Sequence, residues 1–227
     1  MAKKKNTKNK ETLYGIIGLG RFGFALAQSL AESGKEILVI DREQDKINAA
    51  AAFTDNAFCI DNLTRENLET VGIADCDIVV VAIGEQIDTS ILTTLTVLRL
   101  GVARVIAKAR SEEQGEVLTT LGAEVVYPEK DMAIRLAHRL TSPHILEYIS
   151  LSPEIDIMEI ALTDKVAGKT VQELDVRKRF GLNIIAVKQD GRLTTEILPT
   201  TVLSAADSLT VIGKTEEIHR FENHLQS

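Results

Sequence analysis

A glycine-rich turn constrains the fold of this chain more than any other feature of the sequence. Gly18, Gly20 and Gly23 lie between the apolar run 13–17 and a stretch with helical spacing of apolar residues. A strand, a turn and a helix in this order need glycines where the turn is tight, where the backbone approaches a ligand, and where helix and strand pack closely. The motif therefore predicts a strand–turn–helix unit of an α/β fold.

The pattern beyond the turn alternates short β-branched runs with helical stretches. Six predicted strands cover residues 13–17, 36–40, 57–60, 77–83, 104–109 and 123–127. The segments between them, and the stretch 129–140, have apolar residues at three- and four-residue spacing. Nearly continuous apolar strands that alternate with helices are typical of a parallel sheet covered on both faces. Residues 13–142 are therefore predicted to form a Rossmann-like, doubly wound α/β domain.

The alternation of strands and helices changes after residues 141–144, Thr-Ser-Pro-His, and we interpret residues 143–153 as a linker. Asp190-Gly191 between two strands is the strongest short hairpin signal. Residues 154–227 are therefore predicted to form a small α+β domain with antiparallel strands. Its predicted strands are 156–162, 183–189, 192–198 and 208–213, and its predicted helices are 171–180 and 215–225.

Composition and charge exclude several classes of protein. The 227 residues include 26 basic and 33 acidic side chains, and a net charge of −7 with only 4% aromatic residues argues against nucleic-acid binding. No apolar run reaches the ~20 residues of a membrane span. Residues 1–12 are lysine-rich, lack the apolar core of a secretory signal, and are predicted to be a disordered tail. Cys59 and Cys76 are interpreted as reduced thiols in the core of a cytoplasmic protein.

The glycine turn and the helix after it predict a site for a nucleotide. Amide groups and the dipole at a helix N-terminus favour an anion such as a phosphate. Asp41 ends the second predicted strand, where an acidic residue accepts hydrogen bonds from ribose hydroxyls. The same carboxylate would repel a 2′-phosphate, which disfavours NADP.

Four more residues lie at the carboxyl ends of predicted strands, where ligands bind in such sheets. Asp61 and Asn62 could contact an adenine or ribose edge, Gly84 follows the fourth strand, and Lys108 ends the fifth. Each of them could also be an ordinary loop or edge residue. Their shared location favours the ligand.

Glu129 stands at the start of the predicted helix that follows the last strand of the sheet. One interpretation is a partner for the helix dipole, because acidic residues favour the first turn. Alternatively, the carboxylate faces the phosphates of the ligand. A divalent cation, Mg²⁺ or Ca²⁺, would then offset the repulsion.

Nothing in the sequence predicts catalysis. The four histidines are His138, His144, His219 and His224, and none follows a strand of the predicted sheet. No nucleophile elbow, HExxH motif or P-loop occurs. Binding is therefore favoured over an enzymatic reaction.

Five segments together resemble one known family. Residues 16–41, 79–101 and 127–140 are similar to the RCK (or KTN) domains of bacterial potassium uptake regulators. Residues 166–191 and 206–213 are similar to the C-terminal RCK subdomain, TrkA-C. The resemblance is nearest to the cytosolic gating subunits of Ktr-type transporters, and it covers nearly the whole chain after residue 12.

This resemblance implies a function without catalysis. Such subunits bind ATP and ADP, and they assemble as homodimers into an octameric ring beneath a membrane potassium-translocating subunit. ATP favours the conducting ring and ADP the inactive one. The chain is accordingly expected to be cytoplasmic and peripheral to the membrane through that partner.

The resemblance also implies roles for single residues. Arg21 matches an arginine that contacts terminal phosphates, in some states those of the neighbouring subunit, and Glu129 matches a glutamate near the γ-phosphate and its cation. Ile60-Asp61 departs from the Gly-Asp frequent in the family, which leaves the contacts to the base open. The candidate nucleotide-binding residues are Gly18, Gly20, Arg21, Phe22, Gly23, Asp41, Asp61, Asn62, Gly84, Lys108 and Glu129.

A second ligand, cyclic di-AMP, is implied for the dimer interface of the C-terminal domain. By the resemblance, Arg177 holds a phosphate and Asn183 contacts the base or backbone. Valines stand where the family often has bulkier aliphatic residues, which could weaken this inhibitor. The apolar residues of the candidate site are Val171, Val176, Ile184 and Pro199. A plain dimer interface is the alternative.

Two other functions stay open at this point. An NAD-dependent oxidoreductase or NAD(H) redox sensor would use Asp41 in the same way, because both ligands contain adenosine ribose. A purely structural scaffold would bind none of these nucleotides. Arg21 and Glu129 favour a triphosphate with a cation.

Overall fold

The computed structural model describes residues 12–142 and 144–226, which divide into two compact units, the first ending at Glu129 and the second beginning at Lys130. The predicted tail at residues 1–12 lies, except for its last residue, outside the described residues. No helix within the described ranges has the length and apolar character that crossing a membrane requires.

The first unit is built on a parallel sheet of six strands in the order β3-β2-β1-β4-β5-β6. The prediction of a Rossmann-like doubly wound domain is confirmed, because the chain runs outward from β1 in one direction and then from β4 in the other. The strands are β1 (Leu13–Ile17), β2 (Glu36–Asp41), β3 (Ala57–Cys59), β4 (Ile78–Val81), β5 (Arg104–Lys108) and β6 (Glu124–Val126).

Helices join these strands and cover the sheet. Apolar residues on both faces of the central strands are buried, as the continuous run Ile-Val-Val-Val of β4 illustrates. These helices are α1 (Arg21–Glu32), α2 (Gln44–Ala50), α3 (Arg65–Thr70), α4 (Ile87–Arg99) and α5 (Glu112–Leu121), and a further helix, α6 (Pro128–Thr141), begins after β6 and continues into the second unit.

The second unit contains a five-stranded sheet in the order β10-β9-β11-β8-β7, paired antiparallel throughout. The predicted hairpin at Asp190-Gly191 is confirmed, since both residues have positive φ, at 49° and 76°. The strands are β7 (Ile145–Ser150), β8 (Ile155–Ala161), β9 (Asn183–Gln189), β10 (Arg192–Thr194) and β11 (Ser208–Lys214), and the helices are α7 (Val171–Leu174), α8 (Val176–Phe180) and α9 (Thr215–Gln226).

Several predicted boundaries differ from the structure. The stretch 143–153, predicted to be a linker, contains β7, which pairs with β8. The strand predicted at 192–198 ends at Thr194, because β10 is the edge strand and only its first residues pair with β9. The helix predicted at 171–180 is two helices, separated by Asp175 in the left-handed conformation at φ 45°.

The two cysteines occupy different environments. Cys76 is buried, and burial, together with the nearby carboxylates, raises the pKa of its thiol to about 12. Cys59 is exposed at the end of the edge strand β3, so the prediction of two core thiols is wrong for it. An edge strand of three residues leaves one side of its last residue uncovered.

Candidate functional site

The glycine turn after β1 has the geometry that its residues predict. Gly18 adopts a φ of +98°, and a Cβ there would lie 3.2 Å from the backbone of Ala82. A Cβ at Gly23 would overlap the carbonyl oxygen of Gly18. Both positions therefore require glycine, because the turn, α1 and β4 approach each other without room for a side chain.

Gly20 is different, because a Cβ at this position would meet no atom within 4 Å. It is the N-cap of α1, in an extended conformation and without a side chain to cover the first amides of the helix. The first turn of α1 contains no acidic residue. Open space in front of an uncapped helix N-terminus, beside the switch point between β1 and β4, fits a phosphate group.

Asp41 is 8% exposed and braces the glycine turn from the end of β2. Its Oδ2 accepts a hydrogen bond from the backbone N–H of Leu19 at 2.5 Å, and its Oδ1 accepts one from the N–H of Glu43 at 2.9 Å. The ammonium group of Lys46 lies 3.7 Å from Oδ1. Since each carboxylate oxygen has two acceptor sites, ribose hydroxyls can still bind. The bond to Leu19 was not foreseen from the sequence.

Lys108 and Glu129 form an ion pair at the other side of the turn. Lys108 is 9% exposed, and its Nζ donates to Oε1 of Glu129 at 2.6 Å. This hydrogen bond is the main reason why the pKa of Glu129 lies below its usual value. Glu129 remains largely exposed, in the first turn of α6. Both earlier interpretations of Glu129, a dipole partner and a ligand-facing carboxylate, are therefore compatible with its position.

Phe22, Gly84 and Arg110 surround this ion pair. The Nζ of Lys108 lies 5.9 Å from the ring centroid of Phe22, and a Cβ at Gly84 would be only 3.3 Å from the same atom. The guanidinium of Arg110 lies 3.5 Å from the carbonyl oxygen of Gly84 and also lowers the pKa of Glu129. Arg110 was missed in the sequence, although its place two residues after Lys108 and beyond the strand end was the available signal.

The remaining candidates are exposed residues at the same edge. Arg21 opens α1 and forms no ion pair with any residue of the described ranges. Asp61 and Asn62 follow β3, whose Cys59 is in register with Asp41. The backbone carbonyl of Asn62 accepts a hydrogen bond from the side chain of Asn67 at 2.8 Å, which fixes this loop on α3.

The side chains alone do not form a metal site. Among residues 12–142 and 144–226, no group of three or more His, Cys, Asp or Glu side chains converges. Glu129 is the carboxylate beside the proposed phosphate end, and its charge is already offset by Lys108. A divalent cation therefore fits here only if phosphate oxygens supply most of its ligands.

The candidates of the second unit lie on α7, α8, β9 and the loop after β10. The backbone N–H of Gln172 donates to the carbonyl of Pro199 at 3.0 Å, which places this loop beside α7. Arg177 and Asn183 are exposed, and Val171 and Ile184 are partly buried against the core. Val176 is 2% exposed and belongs to the hydrophobic core of the second unit, so it lies below the exposed candidates rather than among them.

Comparison with known proteins gives a match over most of the chain. The TrkA-N domain model matches residues 14–128 and the TrkA-C domain model matches residues 157–226. The chain is 39% identical to Ktr system potassium uptake protein C of Bacillus subtilis (strain 168) over 93% of its own length and 96% of that protein. Ktr system potassium uptake protein A of the same strain is 37% identical over 95% and 97%. The crystal structure of the GsuK RCK domain matches 95% of this chain and 46% of that one, with a TM-score of 0.51 and 26% identity.

Proposed function

The chain belongs to the RCK family, with its TrkA-N and TrkA-C domains, and from this premise we propose that it is a nucleotide-binding regulatory subunit that gates a membrane potassium transporter. Two relatives that the chain matches over nearly their full length are named as Ktr system potassium uptake proteins. It acts in the cytoplasm, without catalysis, at the membrane surface through its transporter partner.

One observation carries the nucleotide part of the proposal. Acceptors for a ribose, an open helix N-terminus and a cationic cluster meet along one edge of the parallel sheet. They correspond to Asp41, Gly20 and Lys108. The order of these groups across the sheet matches the order of ribose, first phosphates and terminal phosphate in an adenine nucleotide.

Discrimination of ATP from ADP follows from the ion pair at the end of this row. A γ-phosphate that reaches Lys108 competes with Glu129 for the same ammonium group. The displaced carboxylate and the phosphate repel each other, and Mg²⁺ or Ca²⁺ bound with ATP offsets that repulsion. ADP ends before this position and leaves the pair intact. Arg21 supplies a further cation, to the same ligand or to that of a neighbouring subunit.

Gating requires that the nucleotide prefers one state of an assembly. A ligand shifts a conformational equilibrium only by its difference in affinity between the two states. One charge-assisted hydrogen bond to the terminal phosphate contributes ~1.5–3 kcal/mol. In an octameric ring of homodimers, equal contributions from several subunits add up, and the ATP-bound ring holds the transporter conducting.

The second unit is proposed to bind cyclic di-AMP as an inhibitor across the dimer interface. The exposed guanidinium of Arg177 beside partly buried aliphatic side chains suits a phosphate next to an adenine. A ligand with two-fold symmetry fits an interface in which the same surface occurs twice.

A thermal shift panel of ATP, ADP, NAD and NADH, with and without Mg²⁺, tests the proposal. We expect both ATP and ADP to raise the unfolding temperature. Mg²⁺ should increase the shift caused by ATP but not the shift caused by ADP. Stabilisation by NAD or NADH only would favour an NAD(H) redox sensor, and no shift with any nucleotide would favour a scaffold. Potassium flux in vesicles that contain the transporter partner then tests gating, with ATP expected to exceed ADP.

A further inference from the structure

The side-chain amide of Gln114 joins the loop after β5 to helix α4 at the cationic end of the site. Gln114 is 3% exposed, and its Oε1 accepts a hydrogen bond from the backbone N–H of Arg110 at 2.9 Å. Its Nε2 lies 3.3 Å from the hydroxyl oxygen of Ser90, to which it donates. Ser90 is fully buried near the start of α4, the helix that follows the Gly84 loop. One buried side chain thus connects the loop after β5 with the first turn of α4.

This arrangement restricts the loop that begins after Lys108 and carries Arg110. Removing a buried amide from water is unfavourable unless its hydrogen bonds are made, so Gln114 has one favourable position and holds the Arg110 backbone there. Lys108, at the end of β5, and Arg110, in this loop, are the two cations that lower the pKa of Glu129. The position of the loop therefore decides where the charge of Arg110 lies relative to Lys108.

A second contact on the same turn of α5 acts on the other half of the ion pair. A Cβ at Gly115 would overlap the hydroxyl oxygen of Tyr127, so the bare backbone of α5 lets the ring lie against it. Tyr127 directly precedes α6, in which Glu129 is the second residue. The first turn of α5 thus contacts both the loop after Lys108 and the residue that precedes the helix of Glu129.

Resting on the proposed nucleotide function, we propose that Gln114 is a positioning residue that holds Arg110 beside Lys108, where the terminal phosphate of ATP binds. Gln114 itself lies beneath the loop and does not contact the nucleotide. Loss of its two hydrogen bonds frees the loop, and ATP must then restrict it on binding, which costs affinity. ADP depends less on this loop because its phosphates end earlier in the row.

Calorimetric titration of ATP and ADP into the full-length protein tests this inference. Gln114→Met keeps the length of the side chain but removes both hydrogen bonds. We expect ATP affinity to fall about five- to tenfold and ADP affinity less than about twofold. Hydrogen exchange of the Arg110 amide should accelerate in the ligand-free variant, since its acceptor is gone.

Two further variants separate positioning from general destabilisation. Ser90→Ala removes only the anchor of the amide, so it should lower ATP affinity less than Gln114→Met, and the double variant should be no worse than Gln114→Met alone. Thr94→Val is the matched control, because it removes a buried hydroxyl that donates to Ser90 O on the same helix without touching the loop. The ratio of ATP to ADP affinity should not change in this control.

The outcomes distinguish this inference from the proposed function. Equal losses for ATP and ADP, an unchanged ratio in both Gln114→Met and Ser90→Ala, or additive losses in the double variant would overturn it while nucleotide binding by the wild type still stands. If Gln114→Met does not fold, Ser90→Ala alone decides. A wild-type protein that binds neither nucleotide would overturn the proposed function, and the inference would fall with it.

Discussion

At the scale of single residues, Asp41 has two roles that are difficult to separate. Its carboxylate holds the Leu19 amide of the glycine turn and is also the proposed acceptor for ribose. A buried carboxylate that accepts backbone hydrogen bonds from two segments keeps one orientation. The ribose acceptor is thereby pre-organised, and ligand affinity becomes coupled to the geometry of the turn.

Replacement of this carboxylate should weaken both adenine nucleotides. Asp41→Asn removes a charge-assisted acceptor, for which we expect a loss of ~1.5–3 kcal/mol in calorimetry with ATP and with ADP. The exposed Asp45→Asn in α2 serves as the control and should change neither affinity. If Asp41→Asn bound both nucleotides as the wild type does, the ribose would have to lie elsewhere.

The charge of Glu129 should lower ATP affinity when no divalent cation is present and raise it when Mg²⁺ is bound with ATP. Glu129→Gln removes both the competitor for Lys108 and the repulsion of the γ-phosphate. We expect tighter ATP binding than wild type in EDTA, loss of the enhancement by Mg²⁺, and little change for ADP. Glu116→Gln, an exposed position of α5, is the control. A Glu129→Gln protein that kept the full Mg²⁺ enhancement would leave Glu129 as a dipole partner only.

At the scale of elements, the C-terminal end of α9 combines helix capping with a concentration of positive charge. Lys165 donates to the carbonyl of His224, and Thr163 donates to that of Leu225, so two of the last carbonyls of the helix are satisfied. Arg179 lies 3.0 Å from Nε2 of His224. Burial, followed by the charges of Lys165, Arg179 and Lys169, lowers the pKa of His224.

This lowered pKa predicts a pH dependence of stability. Between the folded pKa of His224 and its unfolded value near 6.5, the unfolded chain binds more protons than the folded one, so the free energy of unfolding rises with pH. The contribution that the neutral His224 makes to the free energy of unfolding is therefore lost as the pH falls below about 6.5. Unfolding temperatures at pH 7.5 and 5.5 should therefore differ more in the wild type than in His224→Gln, which keeps an acceptor for Arg179. An equal difference in the variant would contradict this assignment, and His144→Gln is the control.

At the scale of the whole molecule, each of the two units has its own hydrophobic core and its own proposed ligand. The core of the first unit surrounds the parallel sheet, and that of the second lies under the antiparallel sheet. If both proposed ligands bind, two separate cores allow two signals to act on the proposed assembly. Coupling between them is then a property of the assembly and is reciprocal.

The second ligand should bind with the symmetry of a dimer. Titration of the full-length protein with cyclic di-AMP should saturate at one ligand per two chains, and cyclic di-GMP should not bind. Arg177→Ala should reduce this affinity strongly, because each ligand loses two charged contacts, while ATP affinity stays unchanged. The neighbouring Lys178→Ala is the control. Saturation at one ligand per chain would contradict a cyclic di-AMP site shared by two chains, and this surface would then be only a dimer interface.

The sequence by itself determined the architecture and the family of this protein. Glycines, β-branched runs and helical spacing are local signals, and each reports a constraint that acts within a few residues. The glycine turn, the doubly wound parallel sheet and the Asp-Gly hairpin could therefore be predicted. The strand β7 was missed, because its pairing with β8 is its main distinction from a linker.

Only the tertiary structure decided how the site is held together. The bond from Leu19 to Asp41 spans 22 positions and the ion pair of Lys108 with Glu129 spans 21. The Gln114 amide joins Ser90 across 24 positions. Such contacts depend on the register of neighbouring strands and on which helix faces meet, and neither leaves a local pattern in the sequence. Local sequence patterns therefore predicted the candidate site residues, but they did not predict the partners that orient those residues.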